Sequence, residues 1–151
     1  MTNANTSGMN IKILGLAILL AAAAGLATTY GCEMTFTLIR PAGGSAKILP
    51  GRSMDLIQGQ QYVLRVEFYE DHKKCLHDPD ETVFLVSGRQ WKPGDSSQPL
   101  TLGSSISWRS DDRTNTAEIR FTAKDKGTFG LEVIRECDKG GYDELFTFKV
   151  K

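Results

Sequence analysis

The fold class that the sequence predicts is an all-β antiparallel sandwich, one domain over residues 32–151 behind an N-terminal signal segment of residues 1–31. Three features predict it. Apolar residues recur with a period of two after residue 32, turn chemistry separates the runs, and the N-terminus holds an apolar stretch closed by small residues. A chain of 151 residues is the length of one domain, and the part left after a leader is removed is long enough to bury a core without a metal. The net charge is zero. Phosphate binding needs a basic surface, so nucleic acid is not an expected partner.

The leader is read from residues 11–27, IKILGLAILLAAAAGLA, with Lys12 near the start and Met9 as an alternative initiator. A retained membrane helix competes with export, because the run is about as long as the shortest span of a bilayer. Its alanine content and its place at the N-terminus favour export, and Gly25-Leu26-Ala27 has the small-x-small form of a cleavage site. Cys32 follows directly. Gly31-Cys32 resembles the end of a bacterial lipobox, although Thr29 stands where a lipobox carries Leu. Lipid on Cys32 would leave Cys75 and Cys137 as a disulfide pair in an oxidising compartment. Cleavage after Ala27 would instead retain Cys32 as a thiol or an intermolecular bridge.

The strands are read in order. Segments 34–39 and 46–49 come first, followed by 60–70, where Tyr62, Leu64, Val66 and Phe68 alternate with Val63, Arg65, Glu67 and Tyr69. Segments 82–86, 99–102 and 105–108 are shorter candidates. In 116–124, Ala117, Ile119, Phe121 and Ala123 face inward; Phe129, Leu131 and Val133, then Phe146, Phe148 and Val150, repeat the alternation. Pro41-Ala42-Gly43-Gly44, Pro50-Gly51, Lys92-Pro93-Gly94-Asp95, Asp125-Lys126-Gly127 and Lys139-Gly140-Gly141 interrupt the runs. Asp125-Lys126-Gly127-Thr128-Phe129 leading into the penultimate strand gives the sandwich an immunoglobulin-like character, with Phe129 lacking the hydroxyl of a tyrosine corner.

Chemistry is sparse. The serines lack a nucleophile-elbow motif, and Asp111-Asp112 and Asp143-Glu144 read as solvated loop acids, so no enzyme and no cofactor is expected. Cys75 and Cys137 lie on connections that a sandwich places at one end, and a bridge between them would add roughly 4 kcal/mol in the chain-entropy model. His72 and His77 flank Cys75 with Asp78, Asp80 and Glu81 nearby, a mixture a soft metal would accept. Lys73 and Lys74 oppose a cation and the disulfide claims Cys75, so a surface loop is the expectation and a metal-binding or redox protein is the second alternative.

From about Met54 onward the chain resembles the chagasin-type inhibitors of cysteine proteases. The shared residues are Gly59-Gln60, Trp91-Lys92-Pro93-Gly94-Asp95, Phe121-Thr122-Ala123, Gly127-Thr128 and Phe146-Thr147-Phe148-Lys149-Val150. The resemblance implies a small immunoglobulin-like sandwich that inserts three neighbouring loops into a protease, here 71–81, 104–115 and 136–143. The family's Asn-Pro-Thr-Thr-Gly loop and Arg-Pro-Trp segment are absent. Cys75-Leu76-His77-Asp78-Pro79 and Arg135-Glu136-Cys137 stand near those places.

The function expected from the sequence is an exported, lipid-anchored, non-catalytic binding or structural module of the cell envelope, in the periplasm or at the cell surface. Protease inhibition is the first alternative. A protein partner is expected at the three-loop end, with Trp108, Arg109 and Tyr142 as the anchoring residues.

Overall fold

The computed structural model describes residues 32–71, 75–138 and 140–151; the predicted leader, residues 1–31, lies outside them, as do His72, Lys73, Lys74 and Lys139. Among the described residues the chain forms β1 (Glu33–Ile39), β2 (Ser45–Ile48), β3 (Ser53–Leu56), β4 (Gln61–Tyr69), β5 (Val83–Val86), β6 (Arg89–Gln90), β7 (Leu100–Leu102), β8 (Trp108–Asp111), β9 (Thr114–Ala123), β10 (Gly127–Arg135) and β11 (Tyr142–Val150). A 3-10 turn, Pro79–Glu81, precedes β5. One sheet runs β2-β1-β4-β9-β7, with β8 also on β9; the other runs β3-β11-β10-β5-β6. The orders β1-β4-β9-β7 and β5-β10-β11 reproduce the ABED and CFG sheets of an immunoglobulin-like sandwich. The fold class read from the sequence is therefore the one observed.

The period-two residues form the core because alternate side chains of a strand share one face. Tyr62, Leu64, Val66 and Phe68 of β4 are all buried, as are Ala117, Ile119, Phe121 and Ala123 of β9. Register aligns these rows: Met34 opposes Phe68, Phe36 opposes Val66 and Leu38 opposes Leu64. The second sheet contributes Leu131, Val133, Phe146 and Phe148. Phe36 meets Phe146 at 4.5 Å between ring centroids and Phe121 meets Phe148 at 6.0 Å, so aromatic contacts join the two layers. Trp91 is buried against Phe121 and donates its indole N–H to the Leu100 carbonyl at 2.7 Å.

Four elements differ most from the reading of the sequence. The strand expected at 105–108 is Trp108–Asp111, since Asp111 opposes Thr114 across a two-residue hairpin in which Asp112 takes φ +50°. That turn sets where β8 ends and β9 begins, so β9 starts at Thr114 rather than Thr116. Two short strands that the sequence reading omitted, β3 and β6, complete the sheet by pairing; β3, with Met54 and Leu56 alternating against Ser53 and Asp55, lies parallel to the C-terminal half of β11. At the predicted Asp125-Lys126-Gly127 turn, Gly127 sits at φ +140°, where an added Cβ would come within 2.9 Å of the Phe129 ring. Glycine is required there on both counts.

Candidate functional site

Antiparallel pairing gathers four pieces of chain at one end of the sandwich: the entry to β1, the 70–82 connection, the β8–β9 hairpin and the β10–β11 hairpin. This follows from Glu33 opposing Tyr69, Tyr69 opposing Thr114 and Arg135 opposing Tyr142. The expectation that 71–81 and 136–143 share an end is met in position. The expectation for 104–115 is corrected. Residues 104–107 lie midway along the outer edge of β9, because β7 and β8 pair successive stretches of that strand, and only the Asp112 turn reaches the shared end.

Arg135 organises this end. Alternation along β10 places it on the core side after Leu131 and Val133, and it is 2% exposed. Its guanidinium lies 4.0 Å from the Phe68 ring centroid. One terminal nitrogen donates to the Asp78 carbonyl at 2.8 Å and the Thr82 hydroxyl at 3.1 Å, and the other to the His77 carbonyl at 2.8 Å. A planar fork matched to converging carbonyls holds residues 77–82 against β10. Sequence parity carried the signal, since a charged residue in an otherwise apolar inward row needs partners.

The three cysteines meet beside this clamp. Cys32, just before β1, is buried; Cys75, in the 70–82 connection, and Cys137, two residues past β10, are half-buried. The Cys137 sulfur is 3.5 Å from that of Cys32 and 3.8 Å from that of Cys75, and all three lie within 4.8 Å of one another. Cys137 therefore stands between two neighbours rather than beside Cys75 alone. Burial, reinforced by the Cys137 contact, pushes the Cys32 thiol up to about 12. Burial also raises the Cys75 thiol, opposed by a hydrogen bond from the His77 N–H. Asp71 N–H donates to the Cys32 sulfur, and the Asp138 carboxylate lies 3.8 Å from the Cys137 sulfur.

Of the two histidines proposed as metal candidates, His72 lies outside the described residues. His77 holds Glu81 at 2.9 Å through Nδ1, and this hydrogen bond raises its pKa while lowering that of Glu81. The expected anchors do not form one patch. Trp108 is half-buried against the core, and Arg109 is exposed beside it on edge strand β8. The Tyr142 hydroxyl accepts from the Met34 N–H at 2.8 Å and donates to the Cys32 carbonyl, tying β11 to the entry of β1. In sheet order β1 lies three strands from β8, about 14 Å at ordinary strand spacing. An open groove of about 360 Å³ runs along this end, lined by His77, Arg135, Glu136, Cys137, Tyr142 and Asp143.

No family model matches the chain, and no curated protein is significantly similar to it. Among solved structures, the chain is similar to that of amebosin, at 11% identity over 68% of this chain and 90% of that one, with a TM-score of 0.41. It is similar to titin M4 at 15% identity, covering 76% and 96%, with a TM-score of 0.38. An Ig-like domain of human obscurin-like protein 1 is similar at 10% identity, covering 84% and 92%, with a TM-score of 0.38. The immunoglobulin-like assignment stands on the strand order of this chain.

Proposed function

We propose that the chain is an exported, non-catalytic binding or structural module of the cell envelope, and that it engages a protein partner at the end where 70–82 and 136–141 converge. One observation carries the location. An open groove lies beside these connections, and Arg135 holds the backbone of His77 and Asp78 at its rim. Loops held on a rigid scaffold are where binding concentrates, because the ordering cost has been met before the partner arrives. Export rests on the leader read in residues 1–31.

The test is capture of partners from envelope extract by the full chain, followed by affinity measurement with three variants. Asp143→Lys changes an exposed groove residue, whereas Trp108→Ala and Arg109→Ala change edge strand β8. The reading expects Asp143→Lys to weaken binding at least about tenfold, a change of some 1.4 kcal/mol, with both β8 variants near wild type. Loss confined to the β8 variants moves the interface to the sheet edge. Affinity unchanged in all three, with folding intact, removes the proposed end.

A further inference from the structure

We propose that Cys32, Cys75 and Cys137 form a three-thiolate site for a thiophilic d10 cation, Cu(I) or Zn(II), which joins the two sheets at the groove end. The site is independent of partner binding, and either can fail without the other.

Two of the three sulfur separations fit ligation closely. A metal–sulfur distance of about 2.3 Å puts tetrahedral ligand sulfurs about 3.8 Å apart. The Cys137 sulfur lies 3.5 and 3.8 Å from its neighbours, and the third separation is within 4.8 Å. A disulfide brings its sulfurs to about 2.05 Å, so any pair would have to close by well over an ångström and leave the third sulfur aside. Ligation asks for shifts of only a few tenths of an ångström from two of the separations and uses all three.

Burial holds Cys32 and Cys75 as thiols when no cation is bound, so uptake of a cation displaces their protons. The backbone amides of Asp71 and His77 oppose part of that effect at Cys32 and Cys75, as outer hydrogen bonds to ligand sulfurs do. Arg135 opposes the effect of burial at Cys75, more weakly than the His77 amide does. With three thiolates the site carries a charge of −2 with Cu(I) or −1 with Zn(II), and the buried guanidinium beside it offsets part of that charge. The ligands come from three distant parts of the chain, namely the entry to β1, the 70–82 connection and the β10–β11 hairpin, so the cation would act as a cross-link. Binding replaces three S–H bonds with three metal–sulfur bonds and releases three protons to solvent; no oxidant or reductant is consumed. Soft thiolate ligands select Cu(I) and Zn(II) over hard cations. Three sulfurs satisfy Cu(I), whereas Zn(II) would take a water in the open fourth position.

The full chain, isolated without oxygen, is titrated with Cu(I) against a chromophoric copper(I) chelator and, separately, with Zn(II) against a zinc chromophore. One equivalent should bind per chain, and X-ray absorption should show three sulfurs at about 2.3 Å. Cys32→Ser, Cys75→Ser and Cys137→Ser should each weaken binding at least about 100-fold. Cys32 is buried, so circular dichroism and a Cys32→Ala variant separate ligand loss from misfolding. The arm that binds identifies the cation. The proposal is overturned if neither cation is taken up stoichiometrically, or if the folded Cys32 variants bind as tightly as wild type. A native chain with an acyl group on Cys32, or with Cys137 in a disulfide to either neighbour, also overturns it.

Discussion

Replacing Arg135 with Met tests the idea that one buried cation holds the groove end together. Methionine keeps an unbranched apolar stem against Phe68 and leaves little cavity, so the change isolates the polar part of the side chain. Three hydrogen bonds from a charged donor disappear, to His77, Asp78 and Thr82. At about 1.5–3 kcal/mol for each bond to a charged group, the gross loss would exceed 4 kcal/mol. Relief of the guanidinium's burial offsets part of that, and water can reach the exposed Asp78, so about 3 kcal/mol is expected. Arg135→Lys keeps the charge without the fork and should cost about 2 kcal/mol. In urea, with reductant and chelator present, the Met variant should unfold about 2 M earlier for a slope near 1.5 kcal/mol/M. Amide exchange should rise at Glu81 and Thr82, whose N–H groups close the turn onto Asp78 and Pro79. A cost below about 1 kcal/mol, or wild-type exchange at those two amides, would refute the argument that the clamp outweighs its desolvation.

Other outcomes follow from single contacts. Tyr142→Phe should cost about 1–3 kcal/mol in denaturant melts, because it strips a donor from the Cys32 carbonyl and an acceptor from the Met34 N–H. Burial raises the Tyr142 pKa, so its contribution is present in full below the unfolded value near pH 10 and is lost as pH rises through the folded value; melts of the Phe variant should fall less steeply above pH 10 than wild type. Gly127→Ala should cost at least about 1–3 kcal/mol by thermal melting, from its φ of +140° and the Phe129 ring. Trp91→Phe keeps an aromatic ring against Phe121 but leaves the Leu100 carbonyl without its indole donor, and about 1–3 kcal/mol should be lost in the same assay.

What the sequence disclosed follows the range of the interactions involved. Tyr62, Leu64, Val66 and Phe68 announced their strand because alternation is local and both faces of β4 differ in burial. Strand β3 alternates over only four residues, Met54 and Leu56 against Ser53 and Asp55, too short a run to stand out, and it becomes a strand by pairing with residues almost a hundred positions later. The edge of β9 was misread for a related reason, since where β8 begins depends on the register opposite it. The shared end of 71–81 and 136–143 was legible from strand order alone. That Cys32 would join Cys75 and Cys137 was not, because its approach depends on the β1–β4 register and on how the sheets stack. Arg135 was visible in principle from parity, though its three acceptors were not.

The parallel pairing of β3 with β11 has a mechanical consequence. Ser53, Met54, Asp55 and Leu56 run alongside Thr147, Phe148, Lys149 and Val150 in the same direction. The match is extended by the bonds from Lys151 N–H to Leu56 and from Gln58 N–H to the Lys151 carbonyl. A pull at Lys151 against the β3 side of the molecule would therefore stress these bonds together, along the strands, instead of peeling them apart one by one. Antiparallel β10 and β11, joined by a hairpin, would open like a zipper under a pull across their free ends. The C-terminal strand is thus held most firmly in the direction in which a tether at the end of the chain would tug it.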